Sequence, residues 1–289
     1  MFGKKKDLDI KIYASYHRPS KLIKTDVVVP VHAGRDFALN FGTLSKKDMS
    51  WMLKNTVGDN TGDNISIYNP NFCELTTIYW AAKNSDADYI GHFHYRRILD
   101  ILQKGYDYNE DIYNVDFNDF SYKKLAPVFS NYDAILSMEY KCDVSVYEHY
   151  KKFHKISDLE TVLDVIRQYY PDYVQDAEEY LANNMSMFCN VFILKRNYFQ
   201  DYCTWLFDIF EKAAPNIVIS EDSYQSRVYG FLAERLYNIF IRHVIRTETD
   251  FKFLRVNQIH LVDDKYKLSI FGLNFTISNS KLINITKLK

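Results

Sequence analysis

The feature that most constrains the fold is an alternation between short runs of β-branched and aromatic residues and longer segments with helical periodicity. The runs predict strands and the longer segments predict helices. The predicted strands are residues 10–15, 27–31, 89–93, 134–137 and 187–194. The predicted helices are residues 71–84, 158–170, 172–183, 196–213 and 223–247. Strands that alternate with helices indicate an α/β fold, in which a mostly parallel sheet is covered by helices on both faces.

The domain organisation follows from the absence of any internal repeat, low-complexity segment or Pro/Gly-rich linker in the sequence. We therefore expect one domain over residues 10–250, preceded by a basic leader at residues 1–9. Residues 251–289 form a separate C-terminal segment, which alternates apolar and polar side chains from Tyr266 onward and carries Lys281, Lys287 and Lys289. This segment predicts either an edge hairpin or a basic tail that lies against a membrane.

The composition of the chain restricts the partners and the cellular compartment that we expect for the protein. The 36 basic and 37 acidic side chains give a formal net charge of −1, which argues against a nucleic-acid partner. The four cysteines form no C-x-x-C pair, as expected in a reducing compartment. The N-terminus lacks the apolar segment of a signal peptide, and no apolar run is long enough to span a membrane. We expect a cytoplasmic protein, with the inner face of the plasma membrane as a peripheral contact; its oligomeric state stays open.

Basic and aromatic side chains follow three of the predicted strands. The first strand leads into Tyr16 and His17, the second into His32 and Arg35, and the third into residues 94–97. Because ligands of open α/β sheets bind at the carboxyl ends of parallel strands, these groups predict a site for an anionic nucleotide. A single arginine at a strand end could instead pair with a structural carboxylate.

Two motifs bear on metal binding. Asp86 and Asp88 form a D-x-D triplet, but they precede their strand and should lie at the edge of the sheet opposite the site. His92 and His94 lie on one face of that strand and could bind a metal, although no third ligand is nearby. Arg96 and Arg97 supply positive charge where a metal would otherwise do so. We therefore expect a metal-independent site, with Mn²⁺ or Mg²⁺ as the alternative.

Several carboxylates are candidates for a general base that deprotonates a hydroxyl group. Asp63 lies in a polar loop that could also be an ordinary surface turn. Glu221, Asp222 and Glu234 lie near or in the helix at 223–247, where they could equally belong to a salt-bridge ladder. The sequence does not choose among these four. Glu74 could hold a sugar or could favour a helix N-terminus by its charge.

At these motifs the chain resembles a known bacterial family. The resemblance covers about residues 10–245 and rests on short segments that include an Asn-Ile-Ser and a Glu-Leu-Thr element and a His-Tyr-Arg-Arg motif. These segments are Asn64–Ser66, Glu74–Thr76, Tyr79–Trp80, Lys83–Asn84, Gly91 with His94–Arg97, His32 with Gly34–Arg35, Asn190–Lys195, and Arg227 with Gly230–Phe231 and Glu234–Leu236. The family is that of capsular and exopolysaccharide biosynthesis proteins, catalogued largely as a domain of unknown function and regarded as glycosyltransferase-like.

The resemblance implies a GT-A-like single domain with a Rossmann-type sheet. It also implies transfer of a hexose, in the form of galactopyranose or galactofuranose, from a UDP-sugar donor to a lipid-linked oligosaccharide acceptor. The residues expected to bind the donor are Tyr16, His17, His32, Arg35, Asn64, Glu74, His94, Tyr95, Arg96, Arg97 and Arg227. The alternatives are a non-catalytic nucleotide- or polysaccharide-binding subunit of the same pathway and a metal hydrolase that uses His92 and His94.

Overall fold

The computed structural model describes residues 8–263 and three strands at residues 266–270, 273–277 and 283–287. Most of the predicted basic leader, together with Lys281 and Lys289, lies outside the described residues. The strands are β1 (Ile10–Tyr16), β2 (Val28–His32), β3 (Val57–Gly58), β4 (Tyr89–His94), β5 (Arg97–Leu99), β6 (Asn109–Asp111), β7 (Ala134–Ser137), β8 (Tyr140–Lys141), β9 (Met185–Ser186), β10 (Phe192–Lys195), β11 (Phe253–Val256), β12 (Gln258–Val262), β13 (Tyr266–Ile270), β14 (Leu273–Ile277) and β15 (Ile283–Lys287). The α-helices are α1 (Arg35–Phe41), α2 (Lys46–Asn55), α3 (Asn69–Phe72), α4 (Leu75–Asn84), α5 (Tyr122–Phe129), α6 (Val146–Phe153), α7 (Ile156–Tyr169), α8 (Val174–Ala182), α9 (Arg196–Ala213) and α10 (Val228–Thr247).

The central sheet has the strand order β11-β7-β10-β4-β1-β2-β3. Its strands pair in parallel except β10, which runs antiparallel between β7 and β4. Strands β5, β6 and β12 extend the sheet beside this path. The predicted mostly parallel sheet is therefore confirmed, and the carboxyl ends of β1, β2 and β4 lie side by side.

Alternating side chains of the strands enter two cores on opposite faces of the sheet. On β10, Phe192 and Leu194 belong to one core and Ile193 belongs to the other. The first core is closed by α4 and α7–α10, and the second by α2, α5 and strands β5 and β12. Helices on both faces are what buried parallel strands require, because both faces must be removed from water.

Helix α9 and strand β7 have their predicted bounds to the residue, the predicted helix at 172–183 covers Val174–Ala182, and three other predicted elements are divided or begin later. The expected helix at 71–84 is divided at Cys73, whose φ of 52° ends α3 before α4 begins. Helix α10 begins at Val228, after a 3₁₀ turn at Gln225–Arg227. The predicted strand at 187–194 is interrupted by Cys189 and Asn190, which have positive φ, so β10 begins at Phe192. Positive φ at non-glycine residues depends on tertiary contacts, which local patterns do not contain.

The C-terminal segment divides into two parts. Strand β11 pairs in parallel with β7, and β12 pairs with β5 and β6, so both belong to the central sheet although they follow the predicted boundary at residue 250. Strands β13–β15 form a separate three-stranded antiparallel sheet. The predicted division of the chain stays a prediction. Within the described residues, none of the helices is both long and apolar enough to cross a bilayer.

Candidate functional site

A cavity of about 670 Å³ lies at the carboxyl ends of the central parallel strands. Strand β1 delivers Ser15, Tyr16 and His17 to its wall, Ala33 follows β2, and the segment from His94 to Arg97 follows β4. The facing wall comes from the α3–α4 turn, the 223–227 segment and helix α10. It comprises Asn69, Pro70, Cys73, Glu74, Cys189, Ser223, Tyr224, Ser226, Arg227, Phe231 and Glu234. The volume of the cavity is typical of a site for a small organic ligand.

Three arginines give the cavity its positive charge. Arg96 and Arg97 come from the β4 side, and Arg227 comes from the opposite wall. The Arg96 guanidinium lies 4.9 Å from the centre of the Tyr95 ring, and Arg227 Nε lies 3.2 Å from Cys73 Sγ. Among the residues that the structure describes, none of the three has a carboxylate within ion-pair distance. Arginines without such partners remain available to an anionic ligand.

The histidines of the site are neutral at physiological pH. Burial, together with Arg18, Arg96 and Arg227, lowers the pKa of His17 to about 4. Burial also holds the pKa of His94 well below its usual range, and Arg97 adds to this effect. Both groups lose their proton before neutral pH is reached, so the arginines alone carry the positive charge. His17 packs edge-on against Tyr95, with ring centres 5.0 Å apart.

Two carboxylates enter the same cavity from different elements. Glu234 on α10 accepts a hydrogen bond from the Cys189 backbone N–H at 2.8 Å and pairs with Arg235 Nη1 at 2.8 Å. Burial raises the pKa of the Glu234 carboxyl, and the charge of Glu74 raises it further, while Arg235 opposes both effects. A carboxylate with a raised pKa, open to a cavity, suits proton transfer. Arg235 itself is buried at 1% exposure and fixes this group.

Glu74 is held by a chain of hydrogen bonds that runs through the sheet. Its Oε1 accepts from Asn190 Nδ2 at 2.7 Å. The Asn190 carbonyl lies 2.6 Å from His92 Nδ1, and His92 Nε2 lies 2.8 Å from Ser15 Oγ. Because a carbonyl can only accept, Nδ1 of His92 donates and Nε2 accepts from the Ser15 hydroxyl. Both ring nitrogens of His92 are thus engaged inside the protein, which argues against His92 as one of the two metal ligands considered from the sequence.

Three non-glycine residues with left-handed backbone lie at the cavity or beside it. Cys73 has φ 52°, Cys189 has φ 74° and Asn190 has φ 49°. Such conformations are costly and gather at functional sites where surrounding contacts enforce them. Cys73 lies beside Gly230 of α10, where an added Cβ would make an ordinary van der Waals contact of 3.4 Å with the sulfur. Sequence reasoning missed both cysteines, because neither carries a chemical pattern; the resemblance had already drawn attention to Asn190.

The structure brings most of the predicted site residues together. Those that line the cavity are Tyr16, His17, Glu74, His94, Tyr95, Arg96, Arg97, Arg227 and Glu234. Those that do not are His32, Arg35, Asp63, Asn64, Glu221 and Asp222. Tyr16 is fully buried, and its hydroxyl accepts from the Ile23 N–H at 2.8 Å, so its ring and hydroxyl serve the protein interior.

His32 and Arg35 belong to a neighbouring structural network. Arg35 Nη2 donates to the carbonyl of Thr56 at 2.9 Å, and its Nε lies 3.4 Å from His32 Nδ1. Asp59, fully buried, accepts from the backbone N–H groups of Gly34 and Arg35 at the start of α1. These contacts fix the loop that follows β2, and they occupy the guanidinium that the sequence assigned to the donor.

Asp63 and Asn64 make local contacts in a surface turn. Asp63 accepts from the Tyr79 hydroxyl at 3.1 Å and lies 3.9 Å from Lys83 Nζ, with its side chain 58% exposed. Asn64 accepts from the Ser66 N–H within the same turn. These contacts keep both residues in the surface turn, away from the carboxylates of the cavity.

Glu221 and Asp222 are exposed residues just before α10. Asp222 Oδ1 accepts from the backbone N–H groups of Tyr224 and Gln225. Asp222 therefore caps the 3₁₀ turn at Gln225–Arg227, which presents Arg227 to the cavity. Of the four carboxylates considered as a base, the structure brings only Glu234 into the lining of the cavity.

The Asp86–Asp88 triplet lies at the start of β4, at the opposite edge of the sheet, as predicted from its position before the strand. Asp88 Oδ2 accepts from the Asp9 N–H at 2.9 Å, and its Oδ1 lies 3.7 Å from Arg196. Within the described part of the chain, no group of three His, Cys, Asp or Glu side chains could hold a metal ion. Metal independence stays a prediction to be tested.

Comparison with known proteins supplies a family and a fold. The model of a family described as a domain of unknown function, DUF4422, matches residues 11–246. No curated protein matches the chain. The solved apo structure of WbbM, a bifunctional glycosyltransferase, is similar with a TM-score of 0.78 and 24% sequence identity, over 91% of this chain and 47% of that chain. This chain spans about half the length of WbbM, and the likeness confirms the predicted glycosyltransferase-like α/β fold.

Proposed function

The chain belongs to the DUF4422 family, and we propose that it is a glycosyltransferase that moves a hexose from a UDP-sugar donor to a hydroxyl group of a lipid-linked oligosaccharide. The observation that carries this proposal is the composition of one cavity. Three arginines that pair with no carboxylate among the described residues and two carboxylates from different elements converge at the carboxyl ends of parallel strands. A sugar diphosphate needs cations at its leaving group, and its acceptor needs a base.

The donor diphosphate is assigned to the three arginines. Arg96 and Arg97 approach it from the β4 side and Arg227 from the opposite wall. Guanidinium groups form two parallel hydrogen bonds with phosphate oxygens and stabilise the charge that develops as the diphosphate leaves. His17, rather than the buried Tyr16, offers a ring to the uracil base, because its neutral side chain lines the cavity.

Glu234 is assigned as the general base. In a single displacement, the acceptor hydroxyl gives its proton to the Glu234 carboxylate while its oxygen bonds to the anomeric carbon. The bond between that carbon and the diphosphate oxygen breaks, and UDP leaves with the electron pair. Burial raises the pKa of Glu234, which makes its carboxylate a stronger base than an exposed one. Such a displacement inverts the anomeric configuration.

Glu74 is assigned to the hydroxyl groups of the transferred sugar. Asn190 fixes its Oε1, and Glu74 also lines the cavity, where it can accept hydrogen bonds from a sugar. The sequence resemblance supports galactose, as pyranose or furanose, and an acceptor of capsular or exopolysaccharide synthesis at the cytoplasmic face of the membrane. The WbbM likeness supports the choice of glycosyl transfer.

The proposal is tested with the full chain and a panel of UDP-hexoses, with and without EDTA and Mn²⁺. We expect UDP and one UDP-hexose to raise the melting temperature, and slow hydrolysis of that donor when no acceptor is present. Glu234→Gln should abolish hydrolysis and preserve UDP binding. Binding without any turnover in the wild type, with donor and saccharide acceptors both present, would identify a non-catalytic subunit. If no nucleotide raises the melting temperature, both the transferase and the nucleotide-binding subunit are excluded.

A further inference from the structure

Helices α1 and α2 enclose an open apolar groove of about 590 Å³, separate from the cavity. It is lined by Ala38, Leu39, Gly42, Leu44, Lys46, Met49, Ser50, Leu53 and Lys54. Large apolar side chains at and beside the groove are exposed to solvent: Leu39 at 50%, Phe41 at 64% and Leu53 at 49%. Exposed apolar side chains gathered on one face mark a surface that another body covers.

The sequence of α2 presents two different faces. Met52 is fully buried in the second core, and Trp51 packs partly against the same core. The positions that line the groove follow the spacing of one helical face, at 46, 49, 50, 53 and 54. The core therefore uses one face of α2, while the other carries both apolar and cationic groups into the groove.

The charge of this surface is positive. Lys46, Lys47 and Lys54 are exposed, and across the described ranges no carboxylate lies within ion-pair distance of them. The acidic residues of the two helices keep their negative charge, because the hydrogen bonds that they accept come from neutral groups. Asp48 accepts from the Ser45 hydroxyl at the start of α2, and Asp36 Oδ1 accepts from Asn60 Nδ2 at 2.7 Å. The three lysines outnumber these two aspartates, and none of the three forms an ion pair with a described carboxylate, so the surface carries a net positive charge.

We propose that α1 and α2 form a docking surface for a membrane leaflet that contains anionic phospholipids. Lysine is depleted from the cores of protein–protein interfaces, whereas at a bilayer its aliphatic stem lies along apolar groups and its ammonium reaches the headgroups. Exposed Leu39, Phe41 and Leu53 enter the acyl boundary while Lys46, Lys47 and Lys54 meet the lipid phosphates. A protein partner would call for aromatic and arginine anchors instead.

This surface lies close to the cavity along the chain. Ala33 lines the cavity and Ala38 lines the groove, so four residues connect them. Helix α1 has seven residues, which corresponds to a length of about 10 Å. Backbone hydrogen bonds from Gly34 and Arg35 to Asp59 fix the start of this helix beside the cavity. A docked leaflet would therefore bring lipid-borne molecules near the cavity, although the docking surface does not depend on the proposed glycosyl transfer.

Vesicle flotation with the full chain tests the proposal. Vesicles of phosphatidylcholine alone are compared with vesicles containing equal parts of phosphatidylglycerol, at low and high salt. We expect binding to the anionic vesicles that weakens with salt. The variant Lys46→Gln/Lys47→Gln/Lys54→Gln should bind about a hundredfold more weakly, since each lysine near an anionic surface is worth about fivefold in affinity. Phe41→Ser/Leu53→Ser should bind more weakly at every salt concentration.

Matched controls carry the same chemistry on other surfaces. Lys24→Gln/Lys123→Gln/Lys152→Gln removes three exposed lysines, and Val144→Ser/Val218→Ser removes two exposed apolar side chains. Both should bind as the wild type does. Wild-type affinity in the α1–α2 variants, or equal loss in the controls, would place the membrane contact elsewhere and overturn the proposal, as would failure of the wild type to bind anionic vesicles. Nucleotide binding is measured in the same variants and should stay unchanged. A failure of the membrane proposal can thus be distinguished from a failure of the proposed transferase activity.

Discussion

Asn190 donates a hydrogen bond from Nδ2 to Glu74 Oε1 at 2.7 Å, across 116 positions of sequence. Its backbone carbonyl accepts from His92, and its φ of 49° turns the chain between the cavity and β10. One residue therefore joins the interior of the sheet to a carboxylate of the site. Asparagine tolerates this left-handed conformation better than most residues do, which explains its presence there.

Removing the Asn190 side chain should loosen Glu74 without disturbing the backbone turn. Asn190→Gly retains the positive φ and the carbonyl, so we expect about a tenfold loss of kcat/KM in sugar transfer, equivalent to one hydrogen bond to a charged group. The measurement is steady-state kinetics with the preferred donor. Asn64→Gly, in a turn outside the cavity, is the control. Equal kinetics for both variants would remove Asn190 from the positioning of Glu74.

Arg97→Ala should weaken UDP binding by about tenfold to a hundredfold, because a charge-assisted hydrogen bond to phosphate contributes about 1.5–3 kcal/mol. Arg97→Lys keeps the positive charge but loses the two parallel hydrogen bonds of a guanidinium. Its affinity for UDP should therefore lie between those of the wild type and Arg97→Ala. Isothermal titration with UDP measures both. Lys104→Ala, whose side chain faces Asp119 away from the cavity, serves as the control. Unchanged affinity in Arg97→Ala would take this residue out of the diphosphate site.

Glu234→Gln should lower kcat about 10²- to 10⁴-fold, the range for loss of a general base. The wild-type rate should fall as pH decreases through a pKa above the usual glutamate value of about 4.3, because burial raises the pKa of Glu234 and only its carboxylate accepts a proton. The pH profile of kcat/KM checks this. If the residual activity of Glu234→Gln still falls at acidic pH with the same pKa as the wild type, a group other than Glu234 causes that fall.

His32 should make stability depend on pH. Burial and the neighbouring Arg35 lower its pKa from about 6.5 to about 4, so the folded state excludes the proton that the unfolded chain binds. Stability is therefore complete above pH 6.5 and decreases as pH falls toward 4, by up to about 3 kcal/mol. Urea unfolding of wild type and His32→Asn at neutral and acidic pH measures it. An equal pH dependence in both proteins would exclude His32 as its source.

Local sequence patterns predicted the main strands and helices of this fold but not the residues at which they are interrupted. Helix α9 and strand β7 follow from apolar periodicity alone, because each buries one continuous stripe or run. The break at Cys73 is different. Cys73 accepts a hydrogen bond from Arg227 Nε at 3.2 Å and lies beside Gly230 of α10, both more than 150 residues away in the sequence. No local preference of the sequence contains those contacts.

The sequence likewise predicted the location of the candidate site but not which of the predicted residues line it. The rule that ligands meet the carboxyl ends of parallel strands predicted the region around His94–Arg97 and placed Asp88 at the opposite edge. It did not distinguish Arg35, which donates to Thr56, from Arg97, which lines the cavity. Both arginines follow strands, so only their tertiary partners separate a structural role from an available one.

The sequence by itself determined the α/β class, the order of the main strands and helices, and the edge of the sheet where basic groups gather, because each depends on periodicity and on the direction of a strand. The tertiary structure alone decided which carboxylates share the cavity. Glu74 and Glu234 are 160 positions apart, and they converge because α4 and α10 pack on the same face of the sheet. Burial and the distances between charges arise only in the folded chain, and they distinguish Glu234 from the exposed Asp63, Glu221 and Asp222.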